Sequence, residues 1–308
     1  MAPSVWRSPR RADRMIATRI GSLRLPRTSM ILLPRTALGG CVFAAIVRDT
    51  RGVALTDAER FNYFPASPLV TLTRVFEGET RMALGGAARE APTALALGAV
   101  TLSGPQSRPF TSWNPGPVFA ISIGFYPDAW TRLTGVSPAT LADISGAPVP
   151  HALRSILESG APCDDIPAFW RAVEDALDPL WAKARQKSGF PSWSGGDKIA
   201  DWTRSLLAQS AVSGPGRSLR AWQRRLRHWT GLDGRSLAFH ARLEELHALV
   251  KRNGTSPPAD VALDAGFADQ SHMGRAVRRA TGFSPVRLNA LIKTHPAFWC
   301  YRLLGERF

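Results

Sequence analysis

The strongest constraint on this chain is the stretch ADVALDAGFADQSHMGRAVRRATGFSP, residues 259–285. It leaves the backbone essentially one arrangement: a helix, a tight turn, a second helix, a stop and the start of a third. Ala259 to Ala265 carries Val261, Leu263 and small alanines that pack closely. Gly266 follows, the residue that best tolerates the left-handed conformation of a sharp turn. Phe267 plugs back into the core, and Asp269 is a good N-cap for the second helix. In that helix Met273, Ala276, Val277 and Ala280 share one face by three- and four-residue spacing. Ser271, Arg275 and Arg278 point the other way, with Gly274 and Arg279 flanking. Thr281-Gly282 stops the helix, and Ser284-Pro285 opens the next as N-cap and first helical residue. A helix with an apolar back and a basic front fits the major groove of a DNA duplex.

The same design occurs once more. Ser218 to Gly231, SLRAWQRRLRHWTG, lies on DQSHMGRAVRRATG without a gap. Ser218 falls on Asp269 as N-cap, Trp222 on Met273 and Leu226 on Val277 in the core. On the front, Arg224 falls on Arg275, Arg227 on Arg278 and Arg220 on Ser271, and Thr230-Gly231 matches Thr281-Gly282. Between the copies, Leu237 to Arg252 reads as a helix with Leu243, Leu246, Leu249 and Val250 inward. At about 1.5 Å per residue it spans roughly 24 Å. Two reading helices on one face of a duplex lie about 34 Å apart, so a strut of this length is of the right scale.

On these residues, the segment from about 197 to 294 resembles the DNA-binding domain of the arabinose-regulator (AraC/XylS) family of transcription regulators. DVALDAGFADQSHMGRAVRRATGFSP carries the resemblance, and LRAWQRRLRHWTG supports it. Val277 stands where that family usually has an aromatic, and GPGR precedes Ser218 instead of a glycine and an apolar plug. The resemblance implies two helix-turn-helix units joined by a linker helix and set on adjacent major-groove segments.

Charge is distributed to match. The net +15 is not spread evenly. Residues 1–28 hold seven Arg against one Asp, and residues 29–216 balance at 16 Lys+Arg against 16 Asp+Glu. Residues 217–294 hold 14 basic against 6 acidic side chains. A basic domain attached to a neutral one is the electrostatic footprint of nucleic-acid binding. Residues 1–29, rich in Arg, Pro and Ser, are expected to be a disordered basic tail without the apolar stretch of a secretory signal.

Residues 30–150 have another texture. Apolar stretches at Cys41–Val47, Leu69–Val75, Ala94–Leu102 and Val118–Phe125 are separated by Gly- and Pro-rich turns, which predicts a β-sandwich or barrel. The fold class is therefore α+β, a mostly-β sensor-like domain followed by an all-α DNA-binding domain. GPQSRPF through PGPVFAISIGFYPDAWTRLTGVSPATLAD resembles the sensor domains of some regulators of the same family. That resemblance implies a small-molecule effector, with Phe64, Trp113, Phe119, Phe125 and Tyr126 as candidate pocket residues; each would otherwise be simple core. Residues 151–196 form a helical connector and linker. In it Ile166, Phe169, Trp170, Val173, Leu177, Leu180 and Trp181 make an apolar stripe that can dock on the sensor domain, the first DNA-binding module or a second subunit. SGFPSWSGGD, 188–197, marks the domain boundary. The aromatic-rich residues 295–308 either cap the DNA-binding domain or fray.

The chemistry of enzymes is missing. All six His lie at or beyond His151, so the barrel has none to ligate a metal. Cys41, Cys163 and Cys300 lack metal or disulfide spacing. Asp164-Asp165 and Glu244-Glu245 read as solvated pairs, no catalytic motif is present, and no cofactor is expected. No apolar run approaches the roughly 20 residues of a membrane span. These residues point to a cytoplasmic, nucleoid-associated regulator whose partner is double-stranded DNA. An effector, a homodimer and, for an activator, RNA polymerase are the further partners this reading admits. Base contacts are assigned to Arg220, Gln223 and Arg224 in the first reading helix, and to Gln270, Ser271 and Arg275 in the second. Arg to guanine and Gln to adenine are the natural bidentate pairs. Phosphate contacts are assigned to Ser218, Arg225, Arg227, His272, Arg278 and Arg279. The alternative is a ligand-binding or enzymatic barrel whose basic helices dock on acidic proteins.

Overall fold

The computed structural model describes residues 28–83, 95–159, 165–187, 198–212, 218–252 and 258–307. The basic segment 1–27, Cys163, the boundary at 188–197 and the GPGR segment lie outside them. A β-rich region is followed by a helical one, which is the expected fold class. Among the described residues ten strands build the first: β1 (Ser29–Leu32), β2 (Val42–Asp49), β3 (Phe61–Phe64), β4 (Val70–Glu77), β5 (Arg81–Ala83), β6 (Leu95–Ala96), β7 (Val100–Ser103), β8 (Phe110–Trp113), β9 (Phe119–Phe125) and β10 (Ser145–Ala147). They form two antiparallel sheets, one of six strands in the order β1-β2-β9-β4-β7-β10 and one of four, β3-β8-β5-β6.

Strand alternation explains how the larger sheet is used. In β4, β7 and β9 the sequences VTLT, VTLS and FAISIG alternate apolar and small or hydroxylated side chains, so each strand presents two chemically distinct faces. Pairing brings Leu72 opposite both Ile123 and Leu102, in one apolar layer. That layer is covered by α1 (Pro127–Thr134), α2 (His151–Glu158) and α3 (Ile166–Lys187) in a single buried cluster with Trp130, Leu157, Phe169, Val173, Leu177 and Trp181. Each such side chain contributes about 1.5–3 kcal/mol on burial. The stripe of α3 thus docks on the six-stranded sheet. Leu180 is the exception, 38% exposed, because the stripe runs through Leu177 and Trp181 and position 180 falls beside it.

The helical region comprises α4 (Ile199–Val212), α5 (Leu219–Thr230), α6 (Gly234–Arg252), α7 (Pro258–Asp264), α8 (Gln270–Thr281) and α9 (Pro285–Thr294). A 3-10 turn (Pro296–Phe298) leads into α10 (Trp299–Arg307). Glu244 on α6 is not a solvated carboxylate. It is buried, and its two oxygens accept from the backbone N–H of Ile199 (2.8 Å) and Ala200 (2.6 Å). The orphan donors and positive end of α4 make a carboxylate worth burying there. Trp202 of α4 donates from its indole to Asp128 of α1 at 2.8 Å, beside Arg132, so the helical region is fastened to the helices that cover the six-stranded sheet. Burial pushes the Asp128 carboxyl up, while Arg132 and Trp202 oppose the rise.

The C-terminal segment neither frays nor simply caps the helical domain. Trp299, Cys300 and Leu303 are buried against Ile46 and Phe64 of the β-region. The Trp299 indole donates to Asn62 Oδ1 at 2.7 Å, and Phe298 stacks on Tyr63 with ring centres 4.7 Å apart. Such contacts join residues more than 230 positions apart, beyond the reach of local sequence patterns.

Candidate nucleic-acid interface and interior cavity

The two reading helices are built alike down to their hydrogen bonds. Ser218 accepts from the N–H of Ala221, and Asp269 accepts from that of His272. Both helices end on a left-handed glycine, Gly231 at φ 73° and Gly282 at φ 82°. Thr230 donates to the Leu226 carbonyl (2.7 Å) and accepts from Leu232 N–H (3.0 Å); Thr281 does the same with Val277 (2.8 Å) and Phe283 (3.2 Å). Each threonine seals the last turn where the chain reverses. In the second unit Gly266 has φ 75°, and buried Phe267 donates its N–H to the Ala262 carbonyl at 2.9 Å. Leu246, Val261, Ala262, Phe267, Met273, Ala276 and Val277 form one core cluster.

The expected faces are largely as read. Arg220, Gln223, Arg224 and Arg227 are exposed along α5, with Ala221 and Leu226 buried behind them. Gln270, Ser271, Arg275, Arg278 and Arg279 are exposed on α8. Arg279 lies over the Phe239 ring, 4.9 Å from its centre. His272 is half-buried, and its Nδ1 accepts from Ala268 N–H at 3.3 Å, so part of its polar capacity is spent on the turn. Arg225 departs from its expected phosphate role. It is half-buried and donates to the Ser210 carbonyl of α4 at 3.1 Å, because its position on α5 falls between the front and the core and α4 lies alongside.

One apolar side chain of α5 stays outside the core. Leu219, the first residue of α5, is 67% exposed and packs in none of the hydrophobic clusters. It stands three residues before Trp222 and seven before Leu226, at the N-terminal end of the same apolar stripe.

The β-region docks on the second unit. Ala66 N–H donates to the Ala280 carbonyl in the last turn of α8 at 2.8 Å, and Tyr63 meets Phe283 edge to face at 5.9 Å. Beneath this seam lies a cavity of about 1090 Å³. Its walls include Thr71, Thr73, Thr101, Ser103 and Ser122 from the hydroxylated face of the large sheet, Met273 and Val277 from the back of α8, and Trp299. Thr73 and Ser122 hydroxyls bond each other at 2.8 Å.

Of the five expected pocket residues, only Phe64 lines this cavity. Phe119 meets Phe76, Phe125 meets Trp130, and Tyr126 meets Trp202, all on the helix-covered side. Trp113 is on the smaller sheet, packed beside Phe61. The aromatics were assigned by type, whereas strand parity decides the face, and the cavity took the small and hydroxylated parity. Arg48 also lines it, 6% exposed, with its guanidinium 5.1 Å from the Trp299 ring centre. Arg48 donates to the Thr28 hydroxyl, and its Nε is buried without a partner. Burial and nearby Arg302 lower its pKa to about 10. Among the described residues no His, Cys, Asp and Glu cluster of metal-binding size occurs, and no helix is long and apolar enough to cross a membrane.

Residues 215–290 match the family model of a helix-turn-helix domain. No curated protein matches the chain. Among solved structures, ToxT from Vibrio cholerae bound to a methylnaphthalenyl butenoic acid is similar at 13% identity, over 76% of this chain and 96% of that one, with a TM-score of 0.35. An apo form of ToxT aligns at 11% identity over 84% and 96%, TM-score 0.37, and the AraC-like transcriptional activator CuxR at 10% over 90% and 91%, TM-score 0.24. These likenesses are weak, and the assignment rests on the family match and the paired geometry of α5 and α8. Residues 215–290 are a helix-turn-helix domain.

Proposed function

We propose that the chain is a sequence-specific regulator that grips double-stranded DNA through the fronts of α5 and α8 and responds to a small molecule held in the cavity. The observation that carries the DNA reading is the duplicated, capped helix with a buried apolar back and an exposed basic front. Arg220, Gln223 and Arg224 on α5, and Gln270, Ser271 and Arg275 on α8, face base edges. Ser218, Arg227, His272, Arg278 and Arg279 hold phosphates and set register. Arg225 leaves this set and acts within the fold, since its guanidinium serves α4.

The experiment is binding of the full chain to random and selected duplexes across salt. Each neutralised phosphate contributes a log–log slope near −0.9, so several contacts give a slope of several units. A flat response, or equal affinity for all sequences, defeats the reading and favours a basic protein-docking domain instead.

Arg48 carries the effector part. An arginine buried in a cavity wall, with no described carboxylate among its charged neighbours, is an uncompensated charge of the kind proteins seldom retain without use. It favours an acidic effector. Thermal shifts of the full chain with aromatic and aliphatic carboxylates, each beside its neutral amide, test this. Equal shifts for acid and amide would remove Arg48 from the site.

A further inference from the structure

The cavity is shielded at one end and open at the other. On the sheet side, Asn62, Thr101, Ser112, Asn114 and Val118 line it and are buried. Every described lining residue that is exposed comes from the helical region: Val250 and Lys251 in the last turn of α6, Pro258 at the start of α7, Gln270 at the start of α8, and Val286 and Asn289 on α9. These six form the rim of a mouth. Gly274 stands just inside it, one helical turn after Gln270 and beside Met273 and Val277. Glycine in the interior of a helix is the least favourable residue after proline, and its presence there calls for a packing or functional reason. No protein neighbour supplies one, since a Cβ at Gly274 would meet no atom within 4 Å. The space its missing side chain leaves belongs to the cavity. The matched position of the first unit is Gln223, on a helix that contributes nothing to the cavity wall among the described residues. The reading helix that walls the cavity carries the glycine, and the one that does not carries a long side chain.

Resting on the effector reading above, we infer that the small molecule enters between α6 and α9, over the bare backbone of α8 at Gly274, and that this glycine sets the largest cross-section that can pass. Flat or unbranched acids fit such a passage, and bulky ones do not. The body of the molecule slides past Val250 and Val286, and its acidic end goes on toward buried Arg48. A larger side chain at position 274 projects into the passage and must be pushed aside each time a molecule enters or leaves. Gly274 is therefore a residue of the passage, and its substitution acts on the speed of exchange in both directions.

The test follows anilinonaphthalene sulfonate, an anionic aromatic dye that brightens on leaving water, into and out of the full chain by stopped flow. Gly274→Leu narrows the passage from α8, and Val286→Trp narrows it from α9. Leucine favours a helix and meets open space at position 274, and Val286 is 82% exposed, so both variants should fold. Each should slow association and dissociation by the same factor, roughly 5- to 150-fold, the rate equivalent of forcing one side chain out of its place. The affinity should stay nearly unchanged. Leu263→Trp, exposed on α7 but outside the cavity wall, should exchange dye as wild type does. Ser122→Phe, which fills the sheet end, should abolish uptake. A change in dissociation alone makes Gly274 a contact and not a passage, and overturns the inference. So do unchanged rates in both rim variants, no uptake by wild type, or uptake that Ser122→Phe leaves intact. Unchanged dye rates with loss of duplex binding in Gly274→Leu would assign the glycine to the DNA-facing side instead. The effector reading fails separately: equal thermal shifts for acid and amide remove Arg48 and leave the passage standing.

Discussion

Trp299→Phe isolates one polar contact at the seam between the two regions. The indole N–H donates to Asn62 Oδ1 at 2.7 Å, with both residues less than 5% exposed. Asn62 Nδ2 is already committed to Asn114 Oδ1 at 2.6 Å, so the amide cannot flip to repair the loss without breaking a second bond. Phenylalanine keeps the edge-to-face packing on Phe64 and an aromatic face for Arg48. It leaves a buried carbonyl oxygen unsatisfied, which costs about 1–3 kcal/mol, and the smaller ring adds a void. α10 contributes no strand to either sheet, so it can lift without unfolding them. The expected outcome is faster hydrogen exchange in residues 298–304, by about 5- to 150-fold, with β2 and β9 unchanged. A double-mutant cycle with Asn62→Ala should return a coupling of the same order. Unchanged exchange at α10, or loss spread equally over β2 and β9, would refute the view that this contact holds a separable latch.

Further outcomes are expected. Arg275→Ala should change folding stability by less than about 0.5 kcal/mol, yet cost roughly 1–3 kcal/mol on the matched duplex at one base pair; Val277→Asp should unfold the second unit and abolish binding to every sequence. Melting and affinity on matched and single-mismatch duplexes decide this. Arg225→Ala should lower the melting temperature and leave the salt slope unchanged, while Arg227→Ala should leave melting unchanged and lower the slope by about one unit. His240 is buried with its pKa lowered to about 4, by burial first and Arg279 second. The unfolded chain therefore takes up a proton between about pH 6.5 and 4 that the folded chain refuses, and stability falls with pH through that window. The loss is about 3 kcal/mol at most. His240→Gln should flatten denaturant midpoints measured between pH 7 and 4.5.

What could be read from the sequence follows the range of the interactions. The limits of α5 and α8, their caps and their faces depend on residues within four positions, and the 51-residue offset predicted even the paired threonines at their ends. The cavity depends on which parity of β4, β7 and β9 the helices cover. The alternation itself was visible in VTLT, VTLS and FAISIG, but the side taken by α1–α3 was not, and Phe119 and Phe125 were placed on the wrong face for that reason. Arg225 and Glu244 were misread because each is satisfied by α4, whose position against α5 and α6 no local pattern specifies. The docking of Trp299 on Asn62 lies furthest from legibility, joining the end of the chain to its third strand.

The seam also sets how strongly the proposed effector can act on DNA binding. The cavity is walled by Thr73 and Ser122 on the sheet side, and by Met273 and Val277 on the back of α8, so a molecule that fills it would touch both. Tight binding to the sheet wall alone would shift nothing, because a ligand biases two arrangements only by its difference in affinity for them. Contact with the back of α8 supplies that difference. By reciprocity, DNA changes the ligand's affinity by the same factor. A tenfold coupling corresponds to about 1.4 kcal/mol, the net worth of one or two ordinary hydrogen bonds. The bond from Ala66 N–H to the Ala280 carbonyl is of that size and sits on α8 itself. Large rearrangement is therefore unnecessary. A ligand that tightens or loosens the docking of residues 65–66 on α8 by one such bond alters occupancy of DNA by about an order of magnitude.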